Sequence, residues 1–363
     1  MRFIITTDPL NSELTGVGNY TKNLIDRSKA YLPKNNIYFY NAGLITKQPR
    51  SFYSKNRTVM KIKRKLNRLF SNYDREFKET DLFHGTNQFI PPQVKKSIVT
   101  IHDLSIFHYP ETHPEERVRF FNSNFLETIN KSSHIITVSK TIKNELVKYL
   151  SIPEKKITPI YLASKFNSLK RDNEYHIPRC LNRYSLLKSE FFLYVGTLEP
   201  RKNLKRLITA YLNLPLKIKN KYPLVLVGDG GWKSNEVKLL IQDNKKYIRY
   251  LGYLSEYDIE ALYKSARIFL YPSFYEGFGL PICEAMSCGT DIVISNIKVF
   301  KELYPSAHFF DPYDDKSITQ AIMVSLEMDI IQEKLLEMKY NWEICAKETF
   351  SLYKTVLNDK NIF

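Results

Sequence analysis

The sequence predicts an α/β protein built from two doubly wound halves, each a largely parallel sheet with helices on its faces. Three observations carry that prediction. At 363 residues the chain is longer than one hydrophobic core usually supports. Short apolar runs alternate with helical segments in two separate series, the pattern of βαβ units. Between the series, Ala163–Glu190 is charged, turn-rich and free of clear periodicity, which reads as an interdomain connection. The expected division is 1–165 for the first domain, 166–190 for the connector, 191–341 for the second domain and 342–363 for a terminal helix.

In the first series the strand candidates are Arg2–Thr7, Asn36–Tyr40, Asp81–His84, Ser97–Ile101 and His134–Val138. Helices fit Asn19–Leu32, Glu115–Asn130 and Thr141–Leu150, with Ser139 as N-cap of the last. The second series offers Phe191–Val195, Leu224–Val227, Ile248–Leu251, Arg267–Tyr271, Ile292–Ile294 and Ala307–Phe310 as strands. Asn203 and Ser255 stand where N-caps belong, and Ser255 with Asp258 resembles a capping box with the shorter acid. In the final helix Trp342, Ala346, Phe350, Tyr353 and Val356–Leu357 share one face.

Composition narrows the class. Apolar content of 43% and aromatic content of 13% are ample for folded cores. MRFIITTDPL reads as a buried strand and lacks the layout of a signal peptide. No apolar run approaches the roughly twenty residues of a membrane span. Cys180, Cys283, Cys288 and Cys345 have no CxxC spacing and fit reduced thiols in a cytoplasmic protein. The net charge of +16 is concentrated in Arg50–Phe70, where Val59, Ile62, Leu66, Leu69 and Phe70 recur at helical spacing among lysines and arginines. Such a segment either lies on an anionic membrane surface, at the inner face of the cell membrane, or packs its apolar stripe on its own domain. Basic patches also bind nucleic acid, but no recognisable nucleic-acid motif accompanies this one, so no such partner is expected.

The most informative stretch is Tyr271–Asn296, YPSFYEGFGLPICEAMSCGTDIVISN. A strand runs into a loop holding Glu276 and Gly277-Phe278-Gly279, and a short helix then starts at Pro281, a residue suited to the first helical turn. Gly289 stands where that helix wants a left-handed cap. Backbone N–H groups of the loop and the positive end of the helix dipole suit a phosphate. Glu276, and Glu284 one turn into the helix, are better explained as acceptors for sugar hydroxyls than as phosphate ligands. In Leu193–Leu204, LYVGTLEPRKNL, Arg201 and Lys202 sit at a strand-to-helix loop, where cations oppose the helix dipole and so call for an anionic partner. Leu224–Trp232, LVLVGDGGW, is a glycine-rich turn that either meets a nucleotide or is only tight. Thr100–Asp103, TIHD, puts His102 at the carboxyl end of a first-domain strand. His102 is open to a structural role or, with Asp103, His108 and His113, to metal binding, but their spacing matches no standard zinc pattern and no metal is expected. Gly16-Val17-Gly18-Asn19-Tyr20 follows the first strand and opens a helix.

The Glu276–Glu284 pairing, with EGFGLP and the following CGT and SN, closely resembles the signature of the retaining glycosyltransferases of family 4. The resemblance spans nearly the whole chain and is weakest in Gln48–Thr80 and the connector. It implies the GT-B fold: two facing Rossmann-like domains, chemistry in the cleft between them, and a terminal helix crossing back onto the first. It implies Glu276, His102 and Lys202 as catalytic residues, with His102 hydrogen-bonding the transferred sugar. Gly16, Gly18, Arg201, Lys202, Gly277, Phe278, Gly279, Leu280 and Glu284 are then the donor-binding set. Two departures stand out: Thr197 where many members carry an arginine, with Arg201 offered in its place, and Asp291 where proline is usual. The phrases LYVGTLEPRKN, IHDLSIFHYPE and YPSFYEGFGLP are nearest in texture to bacterial mannosyltransferases that build O-antigen or related lipopolysaccharide glycans from GDP-mannose, on lipid-linked acceptors. A UDP-sugar donor is the alternative within the family. A basic interaction protein that kept the fold but lost turnover is the alternative outside it. No cofactor beyond the nucleotide-sugar substrate is implied.

Overall fold

The computed structural model describes residues 1–11, 16–49, 76–166, 175–328 and 340–358. Arg50–Phe70, the basic amphipathic segment of the sequence, lies outside the described residues. The chain divides into two compact units. One comprises Met1–Leu104, Val118–Leu162 and Tyr340–Phe363, the other Ser105–Arg117 and Ala163–Lys339.

The first unit carries a seven-stranded sheet of β1 (Phe3–Thr6), β2 (Ile37–Asn41), β3 (Leu44–Thr46), β4 (Leu82–Gly85), β5 (Lys96–Ile101), β6 (His134–Thr137) and β7 (Ile157–Pro159). Their order is β3-β2-β1-β4-β5-β6-β7, parallel except for the antiparallel β2–β3 pair at one edge. Every residue of β1 and β4 is buried, as expected of parallel strands covered on both faces. The helix Gly16–Tyr31 and the terminal helix Trp342–Asn358 pack together on this unit. Trp342, Ala346, Phe350, Tyr353 and Val356 are all buried, Phe350 stacking on Tyr31 at 5.7 Å and Tyr353 on Phe3 at 6.0 Å. The terminal helix thus returns to the unit in which the chain began.

The second unit carries a six-stranded parallel sheet of β8 (Phe192–Val195), β9 (Leu224–Val227), β10 (Ile248–Gly252), β11 (Ile268–Tyr271), β12 (Ile292–Ser295) and β13 (His308–Phe310). Its order is β10-β9-β8-β11-β12-β13. The chain lays down β8, β9 and β10 in one direction, then returns to place β11 beside β8 and continues the other way. The β8–β11 boundary is therefore a topological switch point, where diverging loops open a crevice at the carboxyl ends of the strands. The β1–β4 boundary is the corresponding point in the first unit.

The structure departs from the sequence reading in several places. Segment 105–117 groups with the second unit rather than the first. Trp232 Nε1 donates to the Thr112 carbonyl at 2.6 Å, Lys233 Nζ to the Glu111 carbonyl at 2.6 Å, and the Arg117 guanidinium lies 4.6 Å from the Trp232 ring centroid. The expected connector contains a helix, His176–Arg183, tied to Asp258 in the helix Glu256–Ser265. Ser139 and Ser255 cap their helices through their side chains, accepting from Ile142 N and Asp258 N. Asn203 does not: it adopts φ 57°, and its amide donates to the carbonyls of Pro272 and Pro312 at 3.1 and 2.8 Å. Its side chain ties three loops together instead of capping one helix. All four cysteines are free thiols. Among the described residues no helix is long and apolar enough to cross a membrane.

Candidate functional site

The loops after β8 and β11 meet at the switch point, and the charged residues of both converge there. After β8 the chain turns at Gly196 and reaches the short 3-10 turn Pro200–Lys202. After β11 it passes through Ser273 to Glu276 and enters the helix Leu280–Ser287. Lys202 Nζ donates to Glu276 Oε1 at 2.5 Å and to the Tyr271 hydroxyl at 2.9 Å. Ser273 Oγ donates to the same carboxylate oxygen at 2.9 Å. Arg201 NH1 pairs with Glu276 Oε2 at 3.1 Å. The Glu276 side chain is 9% exposed and that of Lys202 12%.

Burial alone would raise the Glu276 pKa. The Arg201 and Lys202 charges, with hydrogen bonds from Lys202 and Ser273, outweigh it and hold the carboxyl at about 2. Glu276 is therefore a carboxylate throughout the neutral range, able only to accept hydrogen bonds. Three of its roughly four acceptor positions are directed at two cations and a hydroxyl, which leaves room for a further donor and poorly suits a nucleophile.

Arg201 has a different place from Lys202. Its guanidinium is buried, with NH2 on Glu199 Oε1 at 2.7 Å and NH1 donating to the Tyr275 carbonyl at 2.5 Å. Phe274 N in turn donates to the Arg201 carbonyl at 3.0 Å. Arg201 braces the loop that presents Glu276. Glu199, Tyr271 and Ser273 escaped the sequence reading; Tyr271 and Ser273 flank the motif directly, whereas no local signal marks Glu199 as the partner of Arg201.

Gly279 explains part of the EGFGLP motif. It holds φ 82° at the start of the helix, and a Cβ there would meet Phe300 Cε1 at 2.8 Å, so only glycine lets the chain bend into the helix against that ring. Phe278 is buried, and the carbonyls of Phe278 and Gly279 both accept from the Tyr304 hydroxyl at 3.2 Å. Gly277–Leu280 is thus a fixed bend beside Glu276. Glu284, one turn further on, is buried; burial raises its pKa, against Lys165 at 4.0 Å and the Tyr263 hydroxyl, which donates to it at 3.3 Å. Lys165 lies in the charged, turn-rich stretch Ala163–Glu190, where the sequence offers no reason to single it out.

The glycine-rich turn after β9 has a packing reason. Gly228 holds φ 141°, and a Cβ on it would sit 2.1 Å from the Gly196 carbonyl oxygen. The turn lets the loops after β8 and β9 touch backbone to backbone, with Leu198 N donating to the Asp229 carbonyl at 3.0 Å.

In the first unit the structure joins two of the sequence motifs. Tyr20, from the segment that begins Gly16-Val17-Gly18, lays its ring edge-on to His102 at 5.0 Å. Its hydroxyl lies 2.9 Å from Thr100 Oγ1, which also meets His84 Nε2 at 2.8 Å; His84 Nδ1 meets the Tyr353 hydroxyl at 2.6 Å. His102 Nε2 donates to the Thr86 carbonyl at 2.8 Å, which fixes its tautomer and leaves Nδ1 the acceptor. Burial lowers the pKa of both imidazoles, that of His84 to about 3. Gly16 opens the helix and Gly18 is buried within it.

His102, Asp103, His108 and His113 form no metal-sized group among the described residues. His176, Cys180 and Asp258 do bring ligand atoms within 4.8 Å of one another. Asp258 there already pairs with Arg183 at 3.3 Å and with His176 at 2.9 Å.

Known proteins share both halves of this arrangement. The family model for Glycosyltransferase Family 4 matches residues 30–163, and that for Glycosyl transferases group 1 matches residues 183–342. The chain is 34% identical over 381 residues to O-antigen chain mannosyltransferase B of Escherichia coli, covering 98% of this chain and 100% of that one. It is 27% identical over 234 residues to O-antigen chain mannosyltransferase RfbU of Salmonella typhimurium strain LT2, covering 64% of this chain and 61% of that one. HepE of Anabaena, solved in complex with UDP-glucose, superposes with a TM-score of 0.69 at 16% identity over 98% of this chain and 100% of that one, a likeness of fold. Two parallel-sheet units, a terminal helix that returns to the first, and a relative matched along its whole length lead to one conclusion: the chain belongs to the family 4 glycosyltransferases, which have the GT-B fold.

Proposed function

We propose that this glycosyltransferase moves mannose from GDP-mannose, with retention of configuration, onto a lipid-linked glycan in bacterial surface polysaccharide synthesis. The observation that carries the reading is the Lys202–Glu276 pair at the β8–β11 switch point. The names of the full-length relative and of RfbU support mannose as the sugar.

In this reading the donor sits against the loops of the second unit. Two of the three Lys202 donors are engaged by Tyr271 and Glu276, and the third faces a phosphate oxygen of the leaving diphosphate. Glu276 accepts from hydroxyls of the transferred sugar, and Glu284 from those of the ribose. The bond between the anomeric carbon and the phosphate oxygen breaks, the acceptor oxygen bonds to that carbon on the same face, and the acceptor proton passes to the departing phosphate. His102 Nδ1 accepts from a sugar hydroxyl, its neutral form kept by burial. Lys202 supplies the charge neutralisation, so activity should persist in EDTA. Arg50–Phe70, by its sequence, carries the membrane contact; binding to anionic vesicles that weakens with salt is expected, and absence of binding at low salt would refute it.

Thermal unfolding with GDP and, separately, with UDP tests the donor. A ligand that binds only the folded state raises the midpoint. Stabilisation by GDP alone is the expected result; stabilisation by UDP alone would overturn the donor, and a response to neither would favour a non-catalytic protein on this fold.

A further inference from the structure

Beside Glu276 lies an aromatic group to which the donor reading above gives no part. Phe274 and Tyr275 immediately precede the carboxylate. Phe274 stacks on Tyr313 with ring centroids 4.9 Å apart at 23°. The hydroxyls of Tyr109 and Tyr313 are 3.2 Å apart, the Tyr109 and Tyr275 rings 5.9 Å, and His108 and Tyr275 5.2 Å. Tyr313 is 55% exposed, while Phe274, Tyr275, Tyr109 and His108 are half-buried.

We propose that Tyr109, Phe274, Tyr275 and Tyr313 form the seat for a pyranose ring of the glycan acceptor. The inference rests on the glycosyltransferase reading above and extends it to the acceptor. Three observations lead to it. The group is fixed to the reacting site, because the Arg201 NH1 that holds the Tyr275 carbonyl at 2.5 Å also pairs with Glu276 at 3.1 Å. Segment 105–117, which contributes Tyr109, is pinned by Trp232 and Lys233 through the Thr112 and Glu111 carbonyls. The group offers aromatic rings, Tyr313 the most exposed of them, with the Tyr109 and Tyr313 phenol hydroxyls beside one another. That combination meets a pyranose, whose axial C–H bonds are weakly positive and whose hydroxyls point outward, better than a purely apolar partner. A nucleobase also stacks on aromatic rings, but in this reading the nucleoside lies on the Glu284 side. The group flanks Glu276, which receives the transferred sugar, and the attacking hydroxyl must arrive there.

The test measures steady-state kinetics with GDP-mannose and a synthetic α-linked mannotrioside as acceptor probe, for the wild type, Tyr313→Ala and Phe274→Ala. Saturation-transfer NMR with the mannotrioside alone reads binding directly. The expected result is a rise of about ten-fold in the KM for mannotrioside in Tyr313→Ala, with the KM for GDP-mannose within about two-fold. Saturation should reach the mannotrioside ring protons in the wild type and fade in the variant. Tyr313→Phe, which keeps the face and loses the hydroxyl, should fall between. Unchanged mannotrioside KM in both alanine variants would overturn the seat while leaving the enzyme reading intact, as would a wild type that turns over GDP-mannose without engaging mannotrioside. A rise confined to the KM for GDP-mannose would also overturn it, giving the rings to the nucleobase. Absence of any GDP-mannose turnover by the wild type would remove both readings together.

Discussion

The two units share an architecture but furnish their switch points in opposite ways. In the second, four formal charges meet: Lys202 and Arg201 against Glu276 and Glu199. In the first, Tyr353, His84, Thr100 and Tyr20 form a buried polar relay that reaches His102, and its two imidazoles are held neutral by burial. Desolvating an ion pair often costs more than its attraction returns, so hydrophobic residues would serve stability as well or better. A charged cluster at a strand switch point is therefore better explained by a ligand than by folding. The neutral relay costs less, and what it provides is a fixed orientation for His102.

Breaking the charged cluster should have the largest effect. Lys202→Ala removes the cation assigned to the leaving diphosphate and one of the two that balance Glu276; transfer should fall by about 10²–10³, and the GDP-induced rise in melting midpoint should shrink. A variant with unchanged kcat and an unchanged GDP response would detach Lys202 from the chemistry.

Acid should separate the two regions next. The His84 pKa falls from about 6.5 to about 3 on folding, so its neutral burial favours the native state fully above pH 6.5, and that contribution is lost as pH drops toward 3. His134, also in the first unit and lowered to about 4 chiefly by burial, acts in the same direction. The Glu276 pKa is lowered too, from 4.5 to about 2, but there the lowering favours the charged form, so its contribution is present above pH 4.5 and disappears only below it. Between pH 6.5 and 4.5 the loss of stability should come from the histidines. Urea midpoints measured across that window should fall less steeply in His84→Phe than in the wild type, and an unaltered slope would contradict the assignment.

Two ties of the terminal helix should differ in strength. Tyr353→Phe leaves a fully buried imidazole nitrogen without its phenol and should cost about 1–3 kcal/mol in urea unfolding. Arg27→Ala removes a partly exposed pair with Glu343 at 2.7 Å and should cost less than about 1 kcal/mol. Equal costs would mean that the relay contributes no more than a surface contact.

Much of this was legible from residue order, and the gaps have physical causes. All six strands of the second sheet could be read because each is a compact apolar run ending in a turn. β3 and β7, the short strands at the two edges of the first sheet, do not stand out in the sequence. Lys202, Glu276 and the Gly279 bend follow from local motif chemistry. The brace role of Arg201 depends on the Tyr275 carbonyl, 74 residues away in the chain. The same holds for segment 105–117, whose place is decided by Trp232, and for Asn203, whose amide found distant carbonyls rather than its own helix.

The most direct test of the central claim is mannosyl transfer from GDP-mannose by Glu276→Gln beside the wild type, with GDP binding measured on both. Glutamine keeps the shape and removes the charge that orders the cluster. Transfer should fall by about 10²–10³ in the variant while GDP still raises its melting midpoint. Full transfer by the variant would contradict the claim that the Glu276 carboxylate handles the sugar.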